Sequence, residues 1–343
     1  MPRILPLTFN YPDSSLQSLR RDLEVYLKHS LAKSTKSTYS SGVRSYLKFC
    51  ATSRIVPFPA TQDSLCLFTT YSARRSISVK SIKVYLHGIV FQDTLLGGNI
   101  RLPSLNILFQ LLRGIKRVQR NSFTRLPRKP ITINHLYLIS RFLAASRYSP
   151  ADKYMFLASC LVAFFGLLRI SEFACPSQST FDPTLHLCRD NISFNQANSI
   201  MLLRIKGSKT DPFREGTTIR LAATYNNLCP VAAVIAYLSL SKNSQGPLFI
   251  RSDGRFLTRK AIVCLLHLAL PGVTHINSHS FRIGGASAAL AAGAPDSLIR
   301  TLGRCSSDCY TRYLRIADKD IAAFQSSMSR VAFSTTVWDP DTA

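Results

Sequence analysis

Acidic residues are scarce in this chain. Only 18 Asp and Glu stand among 343 residues, against 43 Lys and Arg. The few carboxylates show no paired arrangement, which argues against chemistry run by two bound metal ions. Cysteines number nine, at positions 50, 66, 160, 175, 188, 229, 264, 305 and 309, and form no paired framework. Several sit inside apolar runs, where a thiol behaves as a small hydrophobe, a pattern that fits a reducing compartment. No Cys-x-x-Cys is followed by a second ligand pair, so a structural zinc site is not expected, and no metal or other cofactor is implied. Long hydrophobic runs are missing too. The apolar stretch at 155–168 is too short to cross a bilayer and is closed by Arg169. Residues 1–10 hold only a short apolar piece broken by Pro2, Arg3 and Pro6, unlike a secretory signal. There is no internal repeat and no low-complexity tract. The expectation is a soluble, intracellular protein with no membrane contact, nuclear if the source is eukaryotic.

What the chain does have is positive charge, a formal +25 at pH 7, with 46% hydrophobic residues, enough for one or two ordinary cores. Such an excess opposes compaction by self-repulsion, and the partner that usually offsets it is a polyanion, most often nucleic acid. The basic residues spread along the whole chain instead of lining one amphipathic helix, which favours nucleic acid over a membrane face.

The pattern predicts a mostly helical protein in two blocks. A first helical block covers 14–120, a basic, proline-punctuated linker 121–130, a second block 131–329 and a polar tail 330–343. In the first block a helix starts at Ser34 or Thr35, with Tyr39, Val43, Tyr46, Leu47 and Cys50 at helical spacing. Thr61 or Asp63 caps the next, Ser78 opens another that ends at Gly97-Gly98, and 105–118 gives one more. Lys36, Arg44, Lys80 and Lys83 interleave with Tyr39, Tyr46 and Tyr85, a composition suited to phosphate contact. In the second block, Ser149-Pro150-Ala151-Asp152 reads as a helix start, with that helix running to Arg169. Stretches 199–205 and 217–221 have strand character and flank a turn carrying Lys206 and Lys209. Helices are expected at 230–240, 258–268, 280–292, 295–302, 306–314 and 319–327.

Four separated pieces can converge on one phosphate. Arg169 is followed three residues on by Glu172, which can offset its charge and hold it in position. His279 and Arg282 share a helical face. Lys206 and Lys209 sit on a Gly-Ser turn, and Tyr313 lies among arginines. Arg169 and Arg282 can each donate two hydrogen bonds to non-bridging phosphate oxygens, stabilising charge that builds in the transition state. His279 can donate to the same phosphate or assist proton movement. Lys209 can protonate a departing 5′-hydroxyl, and the Tyr313 phenol can attack, keeping the bond energy in a tyrosyl ester. Tyr310, three residues earlier, is the rival nucleophile. Gly284-Gly285 inside a helix implies close approach of a neighbouring helix or of DNA.

These pieces, in this order, resemble the tyrosine recombinase (phage integrase) family over nearly the whole chain, from the first helical block through Arg315. The matching motifs are LLRISEF with Arg169 and Glu172, KGSKTDPF with Lys209, HSFRIGG with His279 and Arg282, and RYLR with Tyr313. Their wording is most similar to the Crypton and DIRS-like recombinases of eukaryotic mobile elements. The resemblance implies a helical, SAM-like core-binding domain and a mixed α/β, mainly helical catalytic domain with a small β-hairpin sheet, which together clamp double-stranded DNA. It also implies a 3′-phosphotyrosyl intermediate and a homotetramer on DNA, with 319–329 docking into a neighbouring subunit. One position departs: the family has His or Trp before the nucleophile, and eukaryotic members favour Trp after Gly-Arg, where this chain has Cys305 after Gly303-Arg304. Arg304 is a candidate DNA contact in its place. A type IB topoisomerase, working as a monomer, is the rival within the same chemistry. A catalytically weakened recombinase retained as a DNA-binding protein is the other alternative.

Overall fold

A computed structural model describes residues 16–120, 127–207, 211, 213–242, 245–304, 321–322 and 325–326. The chain divides into two compact units, Met1–Arg125 and Leu126–Ala343.

The first unit is helical in its described residues: α1 (Leu16–His29), α2 (Lys33–Ser53), α3 (Gln62–Arg74), α4 (Val79–Leu95) and α5 (Asn106–Val118). Two starts are set by side-chain caps. Thr61 accepts from the Ser64 amide, and Ser78 accepts from the Ser81 amide. Helices α2 and α4 cross at glycines: a Cβ on Gly42 would lie 2.7 Å from Tyr85 Cα, and one on Gly88 2.8 Å from Tyr39 Cα. The core gathers Tyr46, Phe49, Leu65, Phe68, Ile82, Leu86, Ile89, Leu108 and Leu112. The Tyr46 hydroxyl is paired with Ser64 Oγ at 2.8 Å and donates to the Pro57 carbonyl, which satisfies its one polar atom. The buried stripe of α2 therefore runs through Gly42, Tyr46, Phe49 and Cys50. Leu47, expected on that stripe, is exposed, and Tyr46 belongs to the core and not to a phosphate-facing surface. The Gly42 crossing turns the helix so that its 49-side faces inward.

The second unit opens with α6 (Ile133–Ala145), a helix beyond those expected, then α7 (Pro150–Phe165) and the single turn α8 (Ile170–Phe173). Ser149 caps α7 by accepting from the Asp152 amide, with Pro150 at the first helical position. The expectation that α7 reaches Arg169 is corrected: it stops at Phe165, because Leu167 adopts a left-handed conformation (φ 48°). Next come β1 (Ile192–Phe194), β2 (Ile200–Ile205) and β3 (Thr217–Ala222), an antiparallel sheet in the order β1-β2-β3. The short β1 extends the expected hairpin to three strands. Met201, Leu203, Ile205, Ile219 and Leu221 alternate inward to the core. Helices α9 (Pro230–Leu240), α10 (Arg259–Ala269), α11 (Ser280–Ala291) and α12 (Asp296–Gly303) complete the described part. The expected helix over 306–314 lies outside the described residues. Of that over 319–327, residues 321–322 and 325–326 are described and are helical. Among the described residues no helix is long and apolar enough to cross a membrane, and no His, Cys, Asp or Glu group fit for a metal ion occurs.

Buried α7 and α9 form the centre of this core, where the Tyr237 hydroxyl ties the backbone at Leu248 and Ile250. Helix α11 packs backbone to backbone. A Cβ on Gly284 would drive into the Ile131 carbonyl oxygen, and one on Gly285 into that of Phe164. The glycine pair thus serves approach to neighbouring chain, one of the two readings its position allowed. Gly284→Ala should therefore lower unfolding free energy by about 2 kcal/mol, overpacking exceeding the gain of about 1 kcal/mol in helix propensity. Gly114→Ala, in α5 with nothing within 4 Å of the new methyl, should raise it by roughly 0.5–1 kcal/mol. Urea unfolding of both variants checks the pair; a stabilised Gly284→Ala would refute the packing argument.

Candidate functional site

The turn after α7 builds the first half of the site. Arg169 sits at the N-cap of α8, one turn before Glu172, whose carboxylate folds back onto it. Glu172 Oε2 accepts from the Arg169 amide at 2.9 Å, and Oε1 from Arg169 Nη1 at 2.9 Å. A third donor comes from far along the chain: Arg304 Nη2 reaches Glu172 Oε2 at 2.8 Å. The carboxylate side chain is 1% exposed, with Arg169 at 15% and Arg304 at 7%. Two guanidiniums therefore share one buried carboxylate.

The second half comes from α11. Asn277 prepares its start: Asn277 Oδ1 accepts from the His279 amide at 2.9 Å, and Ser280 Oγ accepts from the Asn277 amide at 3.0 Å. The chain before α6 lies alongside, with the Lys129 amide donating to the His275 carbonyl and the Ile131 amide to that of Ser280. One turn into α11, Arg282 is 1% exposed. It donates from Nη1 to the Leu167 carbonyl and from Nη2 to the Gly303 carbonyl. The same Leu167 carbonyl accepts from Arg304 Nη2 at 3.2 Å. The left-handed residue that ends α7 early thus aims its oxygen between two arginines, a sparsely populated backbone state used at a site.

Arg169, Arg282 and Arg304 are accordingly brought together around one carboxylate and one carbonyl. Burial lowers the Arg304 pKa, opposed by Glu172 and deepened by Arg282 and Arg169. His279 stands at the same cluster. Burial first, and then the charges of Arg128, Arg282 and Arg169, push its pKa down to about 4, so the ring is neutral at pH 7. Glu172 offsets one of these charges, and with Arg128 also acting on His279 the described residues around this turn carry an excess of positive charge.

Other expected site residues fall elsewhere. Lys36 and Arg44 on α2, and Lys80 and Lys83 on α4, are exposed on the first unit. Lys83 lies over the Phe109 ring at 5.5 Å. Lys36 and Arg44 border a groove of about 430 Å³ floored by Leu27, Tyr39 and Phe91. Two expectations are corrected. Arg304, expected as an outer DNA contact, is built into the interior, because Glu172 and the Gly166, Leu167 and Leu302 carbonyls take its donors. Lys206, expected to reach a phosphate, turns its ammonium onto the Pro183 carbonyl and the Cys188 sulfur. Lys209, Cys305, Tyr310 and Tyr313 lie outside the described residues. The buried role of Arg304 and the nearness of Arg128 were missed. Gly303-Arg304, a small residue and a cation closing a helix, was the available signal for the first.

No protein-family model matches the chain, and no curated protein matches it. Solved structures do. XerH site-specific recombinase bound to a palindromic difH substrate, a post-cleavage complex, aligns with a TM-score of 0.57 at 14% identity, covering 86% of this chain and 79% of that one. A lambda integrase dimer bound to a COC′ core site gives 0.53 at 12% identity, covering 88% and 77%. The Tn1549 transposon integrase with circular intermediate DNA gives 0.51 at 11% identity, covering 85% and 98%. At such identities the likeness is one of architecture, and the mostly helical chain with its small three-stranded sheet has the tyrosine recombinase fold.

Proposed function

We propose that this chain is a site-specific DNA recombinase or transposon integrase. It cuts and rejoins strands of double-stranded DNA through a covalent 3′-phosphotyrosyl intermediate, with Tyr313 as nucleophile. The carrying observation is the gathering of Arg169, Arg282 and Arg304 around Glu172 and the Leu167 carbonyl, with His279 close enough to feel Arg169 and Arg282. Support comes from the fold, shared with recombinases and integrases held on DNA, and from the +25 charge. In this reading the first unit is the core-binding domain, with Lys36, Arg44, Lys80 and Lys83 on phosphates, and the second is the catalytic domain. The wording of the SKTDPF and HSFRIGG segments supports a mobile-element recombinase of the Crypton or DIRS-like kind, nuclear in a eukaryotic host.

The chemistry follows from charge. A phosphodiester carries one negative charge, and the phosphorane formed when the Tyr313 phenol adds to it, its proton passing to solvent, carries two. Arg169 and Arg282 stabilise the second charge as it forms, so the site favours the transition state over bound substrate. Arg304 acts through Glu172, holding the carboxylate that orients Arg169. Neutral His279 donates one N–H to a non-bridging oxygen. Lys209 delivers the proton that the 5′-oxygen needs on leaving. Exchange between two duplexes requires two cuts on each, hence four protomers. A monomer on DNA by sedimentation would instead favour the topoisomerase reading.

Three outcomes are expected. A nicked suicide substrate should trap a covalent adduct with the wild-type protein and none with Tyr313→Phe; an adduct persisting in the variant would move the nucleophile to Tyr310. His279 should titrate near pH 4 in the free protein by ring NMR, and upward when DNA or sulfate enters the site. Because its folded pKa lies below the ordinary 6.5, the stability it contributes is full above pH 6.5 and is lost as pH falls through about 4. A free-protein pKa near 6.5 would contradict the buried, cation-flanked setting. Glu172→Gln should cost about 3 kcal/mol in urea unfolding, the penalty for stripping a buried charge network of its partner. Added sulfate should restore part of that loss, and a neutral effect would show that Glu172 does not anchor the cluster.

A further inference from the structure

Lys206 follows the last residue of β2 and opens the turn that leads to β3. Its ammonium donates to the Pro183 carbonyl and lies 3.7 Å from Cys188 Sγ. Cys188 stands just before the 3-10 turn Arg189–Asn191 that enters β1, its amide held by Asn191 Oδ1 at 2.9 Å and its thiol donating to the His186 carbonyl at 3.4 Å. The sulfur is therefore fixed by local backbone, and the amine reaches it on a flexible four-carbon stem. Cys188 as a whole is 9% exposed. Burial pushes its thiol pKa up, and the Lys206 charge opposes part of that rise.

We propose that Cys188 and Lys206 are an oxidant-driven covalent modification site, joined by a sulfur–nitrogen bond that fastens the hairpin to the β1 entrance. Hydrogen peroxide oxidises the thiol by two electrons: its O–O bond breaks, S–H becomes S–OH, and one water leaves. The Lys206 amine, its extra proton released to solvent, then attacks sulfur. The S–O bond breaks, hydroxide departs with an amine proton as a second water, and the S–N bond forms. The pair ends two hydrogens lighter, and two equivalents of a thiol reductant reverse the link. The competing nucleophile is the Cys175 thiol, close enough to be influenced by Cys188. Cys175 is itself buried and lies against the Leu257–Thr258 segment, whereas the Lys206 amine stands 3.7 Å from the Cys188 sulfur. The tie holds the turn three residues before Lys209. Resting on the recombinase reading, its consequence is restricted movement of the lysine-bearing turn that the chemistry uses.

Full-length protein treated with a few equivalents of peroxide, alkylated and digested with trypsin gives a clear readout. Residues 170–189 form one tryptic peptide containing both Cys175 and Cys188, and cleavage after Lys206 separates 205–206 from 207–209. The expected product joins 170–189 to an uncleaved 205–209, lighter by two hydrogens, released by dithiothreitol and absent from Cys188→Ser. In Lys206→Arg no link should form, and Cys188 should run on to sulfinic acid. An internal Cys175–Cys188 disulfide with 205–206 released, or Cys188 sulfinic acid in the wild type, would overturn the proposal. This mass readout needs no DNA cleavage and stands apart from the recombinase reading. With suicide substrate, the linked protein should cleave several-fold more slowly and recover with reductant; full-speed cleavage by linked protein would remove the regulatory consequence.

Discussion

One buried carboxylate makes the site possible. Like charges a few ångströms apart repel by about 4 kcal/mol at the effective dielectric of a protein pair near the surface, and by more with depth. Three guanidiniums around Leu167 would push one another apart without Glu172 between Arg169 and Arg304. The backbone supplies the rest: the carbonyls of Gly166, Leu167, Leu302 and Gly303 all receive arginine N–H groups. These dipoles satisfy donors without cancelling charge. The cluster is held rigidly and left electropositive, the condition for stabilising charge that appears only during reaction.

That arrangement depends on three chain segments meeting, and the meeting depends on what is missing from α11. Gly284 and Gly285 let the helix lie directly on the backbone of Ile131 and Phe164. Since Phe164 is almost the last residue of α7, this contact sets the start of α11, with His279 and Arg282, beside the turn that carries Arg169. The glycines lower helix propensity locally, and the structure uses that weakness for proximity. Core packing and site geometry are here the same contact seen from two sides.

Much of this was legible in the sequence because it is local. Thr61, Ser78 and Ser149 each cap the helix that their position announces. Helix α9 begins at Pro230 as its proline at the first helical position suggests. Arg169 and Glu172 pair because they stand one turn apart. What could not be read depends on contacts between distant segments. The end of α7 looked like a continuous apolar helix through Leu168, and only the left-handed Leu167, fixed by two arginines more than a hundred residues away, shows why it stops. The three residues of β1 are too few to show a period. The face of α2 turned away from Leu47 because a glycine, silent in any hydrophobic pattern, decides how α4 crosses it. Arg304 looked like a surface cation because nothing in its neighbourhood reveals a carboxylate at position 172.

The neutral state of His279 completes the charge argument. An imidazolium would add a further positive charge to a cluster whose guanidiniums already repel one another. Burial together with Arg128, Arg169 and Arg282 prevents this by holding the ring pKa near 4. Neutral His279 thus adds no further positive charge to the cluster. The arginines that would bind the phosphate are thus the same groups that keep its neighbour uncharged, so removing any one of them alters both the field and the protonation state of the site. Strong coupling of this kind makes the contributions of Arg169, Arg282 and His279 inseparable by single substitution, and only double-mutant cycles can apportion them.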